Sequence, residues 1–353
     1  MKNAMMDKST EFSSTALRTA RKLRSARRIQ AGRLKWAGMA GLFASAVVFP
    51  LAPGVEGWMA SEATLIIMYI MAAQGVSILT GYTGLVTVGH GGFLAVGAYA
   101  SALMTMHLGT DLLTGIIVGG FVAAVIGCAL GLVFLRLSGA FMAIGTLGFA
   151  FFIGTVVNNV PIFEGREGIS LPGNHVLGYE IGDIGFFYVS LATLAITTLF
   201  IYCLVRSAVG RAFMALRDSE KAAEASGVNR VFYRTLAFSM SAAVTGIAGV
   251  LFAHYVNYVS SEVFADIWYS VDFLVATVVG GSAVLLGPFV GGLFVAFLPT
   301  LIEFFVDQPG DLAFIIKGGA LIFVLIMAPA GVVEGTVRFF RWITRIRKET
   351  AHG

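Results

Sequence analysis

The side chains able to do chemistry in this sequence are few, and most fall in two stretches. The first is residues 81–93, GYTGLVTVGHGGF, where Thr87 and His90 stand three residues apart among glycines. An imidazole and a hydroxyl at that spacing can share a hydrogen bond. An ionisable ring beside an apolar run reads either as a polar pathway group or as a side chain bonded to a neighbouring backbone carbonyl. The second stretch is residues 206–234, RSAVGRAFMALRDSEKAAEASGVNRVFYR, the one long polar segment between apolar runs. Its Arg211, Arg217, Asp218, Glu220, Lys221 and Glu224 suit ion pairing and contact with a partner, not covalent catalysis. There is no Walker-type phosphate loop, no His/Cys set at metal-ligand spacing and no convincing nucleophile triad. No cofactor or metal is expected, and the chain is not read as an enzyme. Cys128 and Cys203 lie inside apolar runs as small core residues. Asp272, Glu303, Lys317 and Glu334 stand near or within the ends of such runs, and Lys317 can snorkel.

The elements that must carry these residues are set by composition. Of 353 residues, 57% are hydrophobic and 12% charged, against roughly 25% charged in soluble domains. A bilayer can absorb that much apolar surface and water cannot. The 43 glycines fit closely packed membrane helices. The fold class is therefore all-α, a polytopic membrane protein of about ten spans. These are expected near 36–52, 62–80, 85–107, 113–135, 138–160, 185–205, 236–259, 271–286, 288–306 and 312–333. The third and eighth hold glycine clusters and are candidates for broken or re-entrant spans. Blocks 62–160 and 236–333 would begin on opposite sides, the polarity of inverted repeats.

Charge gives the orientation. With the N-terminus in the cytoplasm, every Lys and Arg except Arg166 and Lys317 falls on that side or at its border. Both termini are then cytoplasmic. About 35 polar residues precede the first apolar run, too many for a secretory n-region, so that run reads as a retained span. The chain divides into a basic arm over 1–35, a membrane domain over 36–335 and a basic tail over 336–353. Residues 15–35 admit two readings, a solvated arm or an amphipathic helix on anionic lipid. No polar domain exists to present a basic face to nucleic acid.

Within 206–234, Asp218 or Ser219 can cap a short helix and Gly227 can end it. Between them KAAEAS places Ala222, Ala223 and Ala225, small enough to enter a groove on another protein, with Arg217, Lys221 and Glu224 for polar contacts at the rim. The plain alternative is a solvated connector.

This loop, GRAFMALRDSEKAAEASGVN, resembles the cytoplasmic loop of the LivM-type permeases of branched-chain amino acid ABC importers. Gly210, Arg211, Ala215, Leu216, Arg217, Asp218, Glu220, Ala222, Ala223, Glu224, Gly227, Val228 and Asn229 match the family pattern. Residues 81–93 are similar to a second family stretch, but Leu85 stands in place of the usual Gln and Thr87 in place of Ser. Residues 135–149, LRLSGAFMAIGTLGF, match a third, in which Ser138, Gly139, Gly145, Thr146 and Gly148 would share one helix for packing or for pore lining. Residues 278–292, VVGGSAVLLGPFVGG, match a fourth, with Ala283 and Val284 departing from it and Pro288 expected to break two short spans. The outer loop 161–185, with EGREGIS, is similar as well.

The resemblance implies a multi-subunit importer. A periplasmic solute-binding protein would deliver the solute, a second, LivH-like permease would pair with this chain in the lipid bilayer, and two ATPases would dock from the cytoplasm. The docking set would be Gly210, Arg211, Arg217, Asp218, Glu220, Ala222, Ala223, Glu224, Ala225 and Gly227. Thr87, His90, Phe93 and Thr146 are candidates for the translocation pathway. The cargo would be a branched-chain amino acid or a related small polar solute. The rival class is an ion-coupled secondary transporter, which needs coupling carboxylates at the bilayer midplane and leaves the Ala-rich loop without a role.

Overall fold

The structure is a computed structural model. It describes residues 57–305 apart from Ser138, Arg166 and Ala265, with parts of 41–51 and of 315–335. Contacts divide the chain into a unit over Met1–Val55 and one over Glu56–Gly353. In the first, the described residues are helical and end in a 3-10 turn at Phe49–Leu51. Everything below concerns the second.

Long apolar runs form helices here because each satisfies its own backbone hydrogen bonds, as a bilayer demands. They are α1 (Gly57–Val76), α2 (His90–Leu108), α3 (Leu112–Val133), α4 (Ala140–Asn159) and α5 (Asp183–Arg206). Two short helices follow, α6 (Ala208–Asp218) and α7 (Glu220–Ala225). Then come α8 (Arg230–Val256), α9 (Ser261–Phe264), α10 (Ile267–Gly280) and α11 (Gly287–Phe305). Among the described residues seven helices are long and apolar enough to cross a membrane, and Gly287–Ile302 is a shorter apolar one. The expected span near 36–52 is described only from residue 41 on, and the one near 312–333 falls mostly outside the described residues, so the count of ten is not reproduced. The second expected repeat block runs beyond them too.

Helix α8 is the axis of the bundle and packs against α1, α2 and α3. Small residues let it do so. A Cβ at Gly97 on α2 would stand 2.0 Å from the Gly246 carbonyl on α8, and one at Gly119 on α3 would stand 2.9 Å from the Gly97 carbonyl. A buried amide clasps α1 to α5: Gln74 Nε2 donates to Thr198 Oγ1 at 2.7 Å, and Thr197 Oγ1 donates to Gln74 Oε1 at 3.3 Å. Helices α10 and α11 form a hairpin against α1, where Thr277 Oγ1 donates to the Ala73 carbonyl at 3.0 Å.

Burial separates inner from outer helices. The apolar windows of α1 and α8 are 72% buried, those of α3 and α4 only 28%. Ile117, Phe121 and Val125 of α3 and Phe141, Ile144 and Phe151 of α4 are exposed. Apolar surface on that scale belongs against lipid or another membrane subunit.

Two departures from a plain helical bundle matter. At the end where α4 and α8 finish, four two-residue strands are added to the all-α plan: β1 (Ile169–Ser170), β2 (His175–Val176), β3 (Tyr179–Glu180) and β4 (Tyr258–Val259). Strand β1 pairs antiparallel with β4, and β2 with β3. At the opposite end α1 widens into a π-helical turn at Ser77–Tyr82, and residues 83–89 are an irregular, non-helical segment before α2 begins at His90. The third expected span is therefore broken only at its start, where residues 85–89 form a non-helical lead; from His90 to Leu108 it is one continuous helix. The eighth is also short: α10 stops at Gly280, and a turn over 281–286 leads into α11 with Pro288 at its second position.

Candidate functional site

The polar loop of the sequence is a helix pair. Val209, Ala212, Phe213 and Leu216 of α6 recur at helical spacing, and this face is turned inward. Phe213 belongs to the same core as Tyr82, Leu85 and Phe238, and its ring stands edge-on to Tyr233. Ser207 caps α6, accepting from Gly210 N at 3.3 Å. Gly210 lies in the corner with α5, where a Cβ would come within 2.4 Å of the Leu204 carbonyl. Arg211 faces solvent and donates from Nη1 to the Arg206 carbonyl at 3.2 Å.

Helix α7 is fixed at both ends. Ser219, not Asp218, is the cap, accepting from Ala222 N at 3.4 Å. At the other end Gly227 adopts φ +85°, Gly227 N donates to the Glu224 carbonyl at 2.9 Å and Val228 N to the Ala223 carbonyl at 3.0 Å. Such a left-handed closure favours glycine because a Cβ there would crowd the following carbonyl.

The charges of α7 find partners within the chain. Glu220 pairs with Arg230 at 3.4 Å and with Arg234, and Glu224 lies 3.8 Å from Arg230. Arg230 Nη2 also donates to the Leu135 carbonyl at 2.8 Å, tying the loop to the end of α3. The Arg234 side chain is only 4% exposed, and its Nη1 has no hydrogen-bond partner among the described residues. Ala223 is 4% exposed and faces the chain's own core. Of the three alanines expected to meet a partner, only Ala222 and Ala225 face outward, with Asp218, Lys221 and Glu224 around them. Arg217 is exposed, as a rim residue would be, but it has a partner within the chain. It reaches back to donate from Nη1 to the Gly81 carbonyl at 2.7 Å.

The four pathway candidates converge at the broken span. Thr87 Oγ1 lies 3.4 Å from His90 Nδ1, and His90 Nε2 lies 2.7 Å from Ser241 Oγ on α8. Ser241 Oγ is 2.6 Å from the Gly75 carbonyl and spends its one proton there. His90 Nε2 must then carry the hydrogen and donate to Ser241, which leaves Nδ1 to accept from Thr87, an assignment made from the network. Thr146 Oγ1 accepts from Val88 N at 3.1 Å, supplying one of the partners that a non-helical backbone inside a bundle needs. Phe93 packs edge-on to His90 and tilted against Phe149.

All four are 1% exposed. They brace the segment from behind and do not line an open surface. Its other side carries Gly84 and Val86, which are exposed. Sequence reading missed these two because a glycine and a valine carry no polar signal. The small-residue stripe also changes: α4 begins at Ala140, Gly139 precedes it with φ +56°, and Ser138 lies outside the described residues. Lys317 and Glu334 lie outside them as well, and so does the side chain of Glu303.

The two broken spans touch. A Cβ at Gly81 would stand 1.8 Å from the Ser282 carbonyl in the α10–α11 turn. Two clefts of about 330 and 270 Å³ lie at the far end of the bundle, one beside Asn158, Asn159 and Glu262, the other beside Asp111, His175 and His254.

The pattern of the family described as branched-chain amino acid transport system / permease component matches residues 59–325. The LivM permease protein of the high-affinity branched-chain amino acid transport system of Escherichia coli (strain K12) is 31% identical over 300 residues, which cover 78% of this chain and 69% of that protein. The LivH permease protein of the same system is 26% identical over 292 residues, covering 75% of this chain and 91% of LivH. The LsrC permease protein of the autoinducer 2 import system of Yersinia pestis (strain Pestoides F) is 25% identical over 247 residues, covering 69% and 65%. No solved structure matches the chain.

Proposed function

The chain belongs to the family of branched-chain amino acid transport system permease components, and from that premise we propose how it works as the membrane-spanning subunit of an ATP-binding-cassette importer. It sits in the cell inner membrane with both termini in the cytoplasm. It pairs there with a second, LivH-like permease through the outward faces of α3 and α4. Two ATPases dock at the α6–α7 pair and hydrolyse ATP outside this chain. A periplasmic binding protein delivers the solute to the end that carries the four strands. The solute is a branched-chain amino acid or a related small polar molecule, since relatives named for branched-chain amino acids and for autoinducer 2 align with most of this chain.

One observation carries the docking reading. Helix α7 is too short to hold itself together in water, yet a serine cap, a glycine closure and the Glu220 ion pairs fix it, with Ala222 and Ala225 facing out. A solvated connector needs none of these. The docking surface is Asp218, Lys221, Ala222, Glu224 and Ala225. Gly210, Glu220, Ala223 and Gly227 support it from beneath and at its ends, and Arg211 flanks it.

The test is reconstitution. Uptake into proteoliposomes should require ATP, both ATPases and a binding protein. Ala222→Trp and Ala225→Trp should insert normally and lose capture of the ATPase. Uptake by this chain alone on an ion gradient would overturn the reading in favour of a secondary transporter. An impermeant thiol reagent should label Ser170→Cys and Ser261→Cys from outside and spare Ser219→Cys.

A further inference from the structure

The contact between Arg217 and Gly81 differs from every other polar tie of the helix pair described above. The rest join α6 and α7 to each other, to α5, or to the ends of α3 and α8. This one joins them to the junction of the two broken spans. Gly81 is the next-to-last residue of the π-helical turn, and on its other side it abuts the Ser282 carbonyl. Three residues on, Gly84 turns at φ +73° against the stem of Arg217, whose Cγ would lie 3.0 Å from a Cβ built there. One side chain thus holds both ends of the corner between α1 and the non-helical segment, with its guanidinium on Gly81 and its methylenes on Gly84.

Carbonyls in the last turn of a helix have no partner within the helix, and a charged donor makes a short, directional bond to one. The apolar core that Phe213 shares with Tyr82 and Leu85 resists compression of α6 toward the bundle. It resists separation less, and it fixes no orientation. The Arg217 bond supplies both, and it acts on the backbone that leads to Thr87, His90 and the outward Val86.

We infer that Arg217 is a positioning residue that transmits movement of the α6–α7 pair to the junction of the two broken spans, and through it to residues 83–89. This rests on reading α6–α7 as the ATPase-docking element, so the experiment separates the two.

The complete importer is reconstituted in proteoliposomes with wild type, Arg217→Ala, Arg217→Lys and Ala225→Trp. ATPase co-purification, basal and solute-stimulated ATP hydrolysis, and uptake are measured for each. In parallel, Val86→Cys, at a position 44% exposed, is labelled with maleimide with and without ATP and vanadate, in the wild-type and Arg217→Ala backgrounds. Arg217→Ala should capture the ATPase at the wild-type ratio. Its solute-stimulated hydrolysis should fall to the basal rate, and uptake should fall about tenfold or more, the loss expected from one charge-assisted hydrogen bond. The nucleotide-dependent change in Val86→Cys labelling should vanish in that background. Arg217→Lys, which keeps a donor on a long stem, should recover part of the stimulation. A collapse of the Lys variant to the Ala level would point to a merely structural role and overturn the inference. So would normal uptake and labelling in Arg217→Ala, or loss of ATPase capture in it, which would make Arg217 a docking contact. Normal capture and uptake in Ala225→Trp would instead overturn the docking reading beneath it.

Discussion

Replacing Glu220 with Gln should loosen α7 while leaving the bundle intact. Arg234 is nearly buried on α8, and Glu220 is its ionic partner. The same carboxylate lies 3.4 Å from Arg230. Removing one member of a fully buried pair costs 3–5 kcal/mol, because a charge is left without compensation. An exposed pair contributes under about 1 kcal/mol. Here one partner is 4% and the other 39% exposed, so the cost falls between, at about 2 kcal/mol. That cost bears on α7 alone, since Glu220 travels with α7 and Arg234 stays on α8. Local opening should become ~30-fold more frequent. Hydrogen–deuterium exchange reads this directly at the amides of Ala223, Ser226 and Val228, which are bonded to carbonyls within the turn. Amides in the middle of α8 serve as the internal reference and should not change. The double variant Glu220→Gln/Arg234→Met should recover most of the protection, because an apolar side chain needs no counter-charge. Unchanged exchange in Glu220→Gln, or a double variant worse than the single one, would refute the argument that the pair holds the helix.

Ser219→Ala removes the α7 cap and should cost about 1 kcal/mol, read as several-fold faster exchange at Ala222 and Ala223. Gly227→Val forces a branched side chain to φ +85° and should cost about 1–2 kcal/mol, with lower ATPase capture at normal membrane levels. Gly246→Leu should abolish folded protein in the membrane, since even a Cβ there would lie 2.4 Å from Ala123 Cβ and 3.1 Å from the Gly119 carbonyl; size-exclusion chromatography in detergent checks it. Ala223→Trp should raise exchange across α7 through overpacking by about 1–3 kcal/mol, whereas Ala222→Trp should leave exchange unchanged and affect only capture.

The sequence by itself determined what depends on neighbours along the chain. Apolar runs placed α1, α3, α4, α5 and α8 to within a few residues at most ends, because a segment that must satisfy its own backbone in lipid has little choice but helix. The pair Asp218–Ser219 and Gly227 announced the ends of α7, since a side-chain cap and a left-handed closure are local demands, although the choice of Ser219 over Asp218 was left to the fold. The glycine clusters in 81–92 and 278–292 marked the two broken spans for the same reason. Tertiary structure alone decided which way side chains at those places turn. Ala222, Ala223 and Ala225 are alike in sequence, but only packing against α8 makes Ala223 the inward one. Thr87 and His90 read either as pathway groups or as bonded structural side chains, and only the fold supplied their surroundings, Ser241, 151 residues beyond His90, and Thr146. Arg217 read as a rim charge because its acceptor lies 136 residues away along the chain. A carbonyl freed at a helix end becomes a partner only when the fold carries a donor to it, and no local pattern records that encounter.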